Sequence, residues 1–541
     1  MSPRALLVRG GRVWTSGGLL DADSVLLAES RIVAVGHALE SHPAARDARV
    51  LEAHGATVMP GLCDAHLHFV PWAKARRQPD LQGSRSRAEA LARVAAALAS
   101  EPGTAPLVGR GWDEAHWEVA PDCASLDSLA PQRPVILHRH DFHSLWVNSA
   151  ALTAAGITRA TPDPEGGRFD RDAAGEKTGV VREHAVRAFH ALEDSAAPTL
   201  DDALLDDAAA ALHAAGITMV HDYQREADDF RRMQALARRR RLRVMQMIGP
   251  DSCDALLKAG VTSGTGDAWF RIGSLKLFAD GTLGSRTAAM LEPFEDSGGL
   301  GIAMYEPVAL REIVGRAVAG GISVTIHAIG DRAVHDALDA IEACGAAAVA
   351  ALPLPPRIEH VQLLHPNDVP RFAALGVAAS MQPQHCVTDA EAARKAWGAR
   401  CESSYPWRSL LGSGARLAFG SDAPVEPPEP WLGLHAAVTR TRADGLPVGG
   451  FTPHECLTLD EALSAYTVGA ARLAAMERRQ GVLRAGAQGD LVVWDRDLHS
   501  IPATELQFAR PAVTVLGGEI VYESPGTGRS MGPGAGGGRG A

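Results

Sequence analysis

Alternate residues of a β-strand share a face. In the run Pro60-Gly61-Leu62-Cys63-Asp64-Ala65-His66-Leu67-His68, the imidazoles of His66 and His68 therefore project to one side. Two imidazoles together at the end of a strand make half of a tetrahedral or five-coordinate metal site. Alone the pair is a weak sign, because the chain has 21 histidines and two surface histidines could share this spacing by chance. Other donors recur in the same position. His327 ends Val324-Thr325-Ile326-His327, His360 ends Arg357-Ile358-Glu359-His360, and Asp422 follows Leu417-Ala418-Phe419-Gly420-Ser421. A hydrogen-bonded core histidine or a capping aspartate would account for any one of them; four strand ends carrying metal-ligand types call for a shared cause.

Lys276 lies in Gly273-Ser274-Leu275-Lys276-Leu277-Phe278-Ala279-Asp280. A lysine in an apolar strand is costly unless paired or modified. Two readings stand side by side: a lysine paired with Asp280 or another carboxylate, and a neutral amine that takes up carbon dioxide as a carbamate able to bridge two metal ions.

These donors need a scaffold that brings distant strand ends together. Eight short apolar segments read as strands: 57–66, 217–222, 243–248, 272–278, 323–327, 357–360, 377–381 and 416–421. Helical stretches such as 333–344 and 366–375 fall between them, as in parallel sheets covered on both faces. Eight such units close a (β/α)₈ barrel, whose active sites form at the C-terminal ends of the strands. The count is interrupted once. About 150 residues separate the first two strands, far more than a crossover needs. That stretch holds helices at 87–100 and 200–215, a strand at 134–138, and a Gly-, Pro- and charge-rich loop at 161–179, and it reads as a subdomain inserted at about 70–215 over the barrel mouth. Short strands open the chain (5–8, 12–15, 24–28, 31–35, 57–59) and return near its end (491–494, 511–516, 519–522). Each group is too small to bury a core alone, so together they are expected to form one β-sandwich from 1–59 and 480–523 beside a barrel of 60–479. The Gly-rich tail 524–541 is expected to be disordered.

Composition is that of a globular protein, with 46% hydrophobic and 22% charged residues. A net charge of −11 argues against a general binder of nucleic acid or anionic membrane. The basic run Arg238 to Arg241 closes a helical stretch, where it complements the helix dipole. Seven cysteines without a C-x-x-C pair fit a reducing compartment. With no long apolar run and no signal-peptide pattern, a cytoplasmic location is expected. The expected partner is a small-molecule substrate, with homodimerisation left open.

In this order the strand-end residues resemble the amidohydrolase superfamily, over nearly the whole chain from Arg4 to Val521, and most closely the branch that contains N-substituted formamide deformylase. The similar segments are 60–68, 276–288 (Lys276-Leu277-Phe278-Ala279-Asp280-Gly281 onward), His327-Ala328-Ile329-Gly330-Asp331, Ile358-Glu359-His360, Ser380-Met381-Gln382-Pro383 and Gly420-Ser421-Asp422-Ala423-Pro424-Val425. The resemblance implies one or two divalent ions, usually zinc. His66, His68 and Asp422 would hold the more buried ion, His327 and His360 the other, and Lys276 would bridge them as a carbamate. The segment 135–152, with Arg139, His140, His143, Trp146 and Asn148, also resembles this branch; it reads either as substrate-pocket lining or as the insertion's own core. Arg286 and Gln384 join His143, Trp146 and Arg139 as candidate substrate contacts.

The expected reaction is hydrolysis of a non-peptide carbon–nitrogen bond, in an amide or an N-acyl or N-formyl amine. A hydroxide held by the metal would attack the carbonyl carbon, with Asp422 as general base and then acid. His327 or a residue of the insertion would help polarise the carbonyl. A cyclic amide or ester hydrolase and a deaminase use the same chemistry. A non-catalytic metal-binding barrel is the reading from a different class.

Overall fold

One expected strand proves to be two. In the computed structural model, which describes residues 5–114, 117–139, 144–164, 167–196, 200–223 and 227–525, the run 57–66 divides at Gly61. Thr57–Pro60 pairs with Arg12–Thr15 and Leu491–Trp494, whereas Leu62–Leu67 starts a separate parallel sheet. The Gly61 N–H is given to Asp490 and the Leu62 N–H to Gly216, so hydrogen-bonding partners change within one residue. A Cβ at Gly61 would collide with the Thr218 side chain, so only glycine lets the backbone pass here. Every residue from 57 to 66 is buried, and no change of polarity marks the boundary.

Leu62–Leu67 (β1), Ile217–Tyr223 (β2), Arg243–Ile248 (β3), Phe270–Phe278 (β4), Val324–Ala328 (β5), Arg357–His360 (β6), Ala378–Met381 (β7) and Arg416–Phe419 (β8) pair in parallel in that order. Beyond β8 the chain meets β1. The Asp422 N–H donates to His66 O at 2.7 Å and the His68 N–H to Ala423 O at 2.9 Å. Helices follow the inner strands, among them Ala227–Arg238, Pro250–Lys258, Pro307–Ala319, Asp331–Glu342 and Val369–Leu375. Asp331–Glu342 shows why they cover the sheet: Val334, Ala337, Leu338 and Ile341 recur every three or four residues and are all buried. This is the (β/α)₈ barrel that the alternation of strands and helices implied.

The two chain ends share sheets. A six-stranded sheet runs Glu519–Glu523, Pro511–Leu516, Leu491–Trp494, Thr57–Pro60, Arg12–Thr15, Gly18–Leu19, and a four-stranded sheet runs Arg31–Gly36, Ser24–Ala28, Leu6–Arg9, Arg49–Glu52. Leu6, Val8, Val25 and Leu27 of the smaller sheet pack in one core with Val13, Val58, Leu491 and Val513 of the larger. Neither set of strands could bury this surface alone.

Residues 70–205 form a second compact unit. Its mixed sheet runs Gly167–Arg171, Lys177–Glu183, Ser144–Val147, Val135–Arg139, Leu107–Trp112. The stretch 161–179, expected to be loop, contributes to a strand pair here. The charge that suggested loop is the solvent side of that pair, where Asp170 bridges Arg168 and Arg182 at 2.8 Å each. On the other side Phe169 faces its partner Val181 in the core. Residues 526–541, and with them most of the expected tail, lie outside the described residues. No helix among the described residues is long and apolar enough to cross a membrane.

Candidate metal centre

The barrel brings its histidines and Asp422 to one rim. His66 lies near the end of β1 and His68 just past it, His360 ends β6, and Asp422 follows β8. All four are at least nine-tenths buried. Asp422 Oδ1 stands 3.2 Å from His66 Nε2 and 3.4 Å from His68 Nε2. Two ligands about 2.1 Å from one tetrahedral ion stand about 3.4 Å apart. The three donors are therefore spaced as neighbours on a common cation. A second set, His360, His385 and Asp422, also has its donor atoms within 4.8 Å of one another.

Hydrogen bonds fix which nitrogen each imidazole offers. A carboxylate or amide oxygen can only accept, so His66 Nδ1–H donates to Glu359 Oε2 at 2.7 Å and His360 Nδ1–H to Gln382 Oε1 at 2.8 Å. When neutral, each ring then offers an Nε2 lone pair, the form a metal ligand needs. Glu359 is anchored in turn. Its Oε1 accepts from Tyr223 Oη at 2.7 Å and lies 2.9 Å from Arg357 Nε, and Arg357 also donates to His221 Nδ1 and Tyr223 Oη. Tyr223 stacks on His66, with ring centroids 4.0 Å apart. A polar layer thus supports these candidate donors from inside the barrel.

The electrostatics follow the packing. Burial would raise the Glu359 carboxyl, yet Arg357 and His66 outweigh it and hold the group well below its usual range. Asp422 behaves likewise: burial raises it, while His66 and His68 beside it hold it well below the ordinary value. Burial and then the neighbouring His327 press His360 well below an ordinary histidine, so its ring is neutral and free to ligate.

The backbone is bent at the donors. His360, Val361 and Asp422 have φ of 72°, 45° and 60°. Non-glycine residues in this left-handed region cost about 1–3 kcal/mol each and persist only where surrounding structure over-determines them. For Asp422 that structure is visible. Asp64 Oδ1 accepts the N–H groups of His66 and Ser421 at 3.1 and 2.9 Å, and its Oδ2 accepts the Ser421 hydroxyl at 2.6 Å. Burial lifts Asp64 to about 6 against those bonds. Gly420 must be glycine, since a Cβ there would collide with His66 N and sit 2.8 Å from Asp64 Oδ1.

His327 and Lys276 stand beside these sets. The His327 ring centroid is 4.5 Å from that of His360. Its Nε2–H donates to Gly281 O at 3.1 Å, which leaves Nδ1 with the lone pair. Burial, then the charge of Lys276, lowers His327 to about 3. In this tautomer the N–H that could assist a substrate carbonyl is engaged by Gly281, and Nδ1 is left for a ligand role. Lys276 Nζ lies 4.4 Å from the Tyr223 ring centroid and 4.8 Å from that of Phe278. Asp280, the partner weighed for it, accepts the backbone N–H groups of Ala289, Ile329 and Gly330 at 2.8–3.0 Å, tying the loop after β4 to the loop after β5.

The expected substrate contacts fare differently. Arg286 grips Asp296 with two nitrogens and also donates to Leu283 O at 2.6 Å, so its fork is committed within its own loop. Gln384 Nε2 donates to Pro427 O at 2.9 Å. Arg139 pairs with Asp113 and Glu114 at 2.8 and 2.9 Å. Trp146 is wholly buried, packed against Trp112 and Trp117, and donates Nε1–H to Asp122 O. A ring with no free face cannot line a pocket, so Trp146 belongs to the core of the 70–205 unit. Asn148 caps the helix Ser149–Ala154. His140 and His143 lie outside the described residues. Strand-end reasoning missed His385 because it sits on the short helix Pro383–Thr388 after β7. Glu359 was legible as a lone acid in a fully buried four-residue strand.

A family model described as the amidohydrolase family matches residues 49–522. The protein YtcJ of Bacillus subtilis (strain 168) is 32% identical over 492 residues, covering 87% of this chain and 90% of that protein. N-substituted formamide deformylase of Arthrobacter pascens is 29% identical over 532 residues, covering 94% and 96%. The crystal structure of an uncharacterized metal-dependent hydrolase from Pyrococcus furiosus aligns with a TM-score of 0.71 at 27% identity, over 90% of this chain and 98% of that one.

Proposed function

Because this chain belongs to the amidohydrolase family and is a hydrolase of carbon–nitrogen bonds, we propose that it cleaves a non-peptide amide or N-acyl amine, N-formyl amines included. One observation carries the reading: a single Asp422 oxygen stands 3.2 and 3.4 Å from the Nε2 atoms of His66 and His68, at ligand spacing. These residues, with His327 and His360, would hold one or two divalent ions, zinc being the cation such nitrogen and oxygen donors suit. Lys276, as a carbamate, would bridge a pair of ions. A bound ion of this kind lowers the pKa of a coordinated water to about 7 and polarises a carbonyl oxygen.

Asp422 takes the proton of the attacking water and returns it to the leaving nitrogen, so that a neutral amine departs. Glu359 and Gln382 keep the proton on Nδ1 of His66 and His360 throughout, so neither ring can rotate or change tautomer without losing a buried bond. Phe278 is half-exposed with its ring 5.4 Å from that of His327, and supports an apolar substituent on the substrate. The name of the Arthrobacter relative favours an N-formyl amine among the acyl groups.

Two measurements test this. Elemental analysis and turnover of Asp422→Asn should show metal retained and turnover lower by about 10²–10⁴-fold; full turnover with metal bound would remove Asp422 from the chemistry. Product analysis over N-acyl amines, lactones and aminopurines should give amine and acid from the first group. Release of ammonia from an aminopurine, with inert N-acyl amines, would make the protein a deaminase.

A further inference from the structure

Asp422 faces two ways. Its Oδ1 meets the His66–His68 pair, and its Oδ2 lies 3.9 Å from His385 Nε2. The His385 imidazole is more than nine-tenths buried, yet its Nε2 has no hydrogen-bond partner among the described residues. At 3.9 Å the Asp422 oxygen is too far to serve as one. A buried polar atom left in this way is destabilising and calls for a cause. His66 and His360 show what the cause is here, since each has Nδ1 secured and Nε2 turned to the same rim. The His385 ring lies nearly parallel to that of His360, at 14° with centroids 6.0 Å apart.

We infer that His385 is a further ligand of the metal centre, and that with His360 and Asp422 it completes a second three-donor set that needs no modified lysine. This rests on the metal-dependent reading given above. Donors about 2.1 Å from one ion stand about 3.4 Å apart at a tetrahedral angle and about 4.2 Å apart when opposed. A spacing of 3.9 Å lies between these limits, within reach of one five- or six-coordinate cation. Asp422 then serves both sets, one oxygen to each. The residue next to the expected Gln384 is thus the one that reaches the centre, because the short helix turns Gln384 toward Pro427 and His385 toward Asp422.

The test strips the full-length protein with a chelator and titrates it with Co²⁺. Bound equivalents are followed by elemental analysis and ligand geometry by the visible spectrum. Wild type is compared with His385→Ala and His385→Gln, and the melting temperatures of the metal-free forms establish that each variant is folded; Gln, closer in volume, decides should Ala not fold. Loss of one bound equivalent, or Co²⁺ affinity weaker by tenfold or more with an altered spectrum, is expected. Equal stoichiometry, affinity within twofold and an unchanged spectrum would overturn the assignment. A wild-type protein that takes up no ion would instead sink the metal-dependent reading beneath it.

Discussion

Glu359→Gln changes one oxygen for one nitrogen in a fully buried side chain, and its effect can be worked out atom by atom. The carboxylate now accepts from His66 on one oxygen and from Tyr223 on the other, which also lies 2.9 Å from Arg357 Nε as its counter-charge. An amide has only one accepting oxygen. Turned toward Arg357, it places an N–H₂ against His66 Nδ1, and the ring must move its proton to Nε2, the atom meant for the ion. Turned toward His66, it sets N–H₂ against the Arg357 and Tyr223 donors and leaves Arg357 buried without its counter-charge. Supporting changes of this kind lower metal affinity by about 10–100-fold, which is about 1.4–2.8 kcal/mol. Removing one partner of a buried ion pair costs about 3–5 kcal/mol of stability. Competition against a chromophoric chelator should show the first effect and urea unfolding of the metal-free protein the second. A Glu359→Gln protein that holds the ion as tightly as wild type would refute the claim that Glu359 sets the His66 tautomer.

Three further outcomes follow from the packing. Gly420→Ala forces a methyl group into the His66 backbone; it should cost about 1–3 kcal/mol or more and release metal, and unchanged metal content by elemental analysis would refute the close approach. Trp146→Ala should destabilise the 70–205 unit by about 3–5 kcal/mol in denaturant titrations while ion affinity stays as in wild type; weakened ion binding would count against a core role. Burial works to raise Glu461, but the Arg408 and Thr458 bonds hold it at about 2, against an ordinary 4.5. A depressed folded-state value means that its contribution is complete above about 4.5 and lost as pH falls toward 2. With a side chain about a third exposed, that contribution is about 1–2 kcal/mol after screening. The stability gap between wild type and Glu461→Gln in urea melts should therefore be larger at pH 6 than at pH 3; a gap independent of pH would show that the pairing contributes nothing.

The barrel was legible because parallel strands buried on both faces read as short apolar runs. Arg243–Ile248 and Arg357–His360 have the bounds their sequences suggested. The strand-end donors were legible for the same reason, as polar residues closing such runs. What escaped lacks that contrast. The change of sheet at Gly61 lies within a continuously buried run, so the sequence allows 57–59 in either sheet, and the switch of hydrogen-bonding partners between Gly61 and Leu62 decides it. The strand pair around Phe169 hid behind its own charged face. His385 sits on a short helix whose direction depends on packing rather than period, and Trp146 could be assigned to core or pocket only once its neighbours were known.

The six-stranded sheet has a consequence for how the protein is made. Thr57–Pro60 pairs with Leu491–Trp494, so about 430 residues must be translated between the two halves of one ladder. At about 5–20 residues per second a ribosome needs roughly 20–90 s for that distance. For all of that time Thr57–Pro60 has Arg12–Thr15 on one side only, and the edge meant for Leu491–Trp494 is open to any other polypeptide nearby. A premature stop codon before residue 491 would make this exposure permanent, giving an aggregation-prone product even where every candidate metal donor had been synthesised.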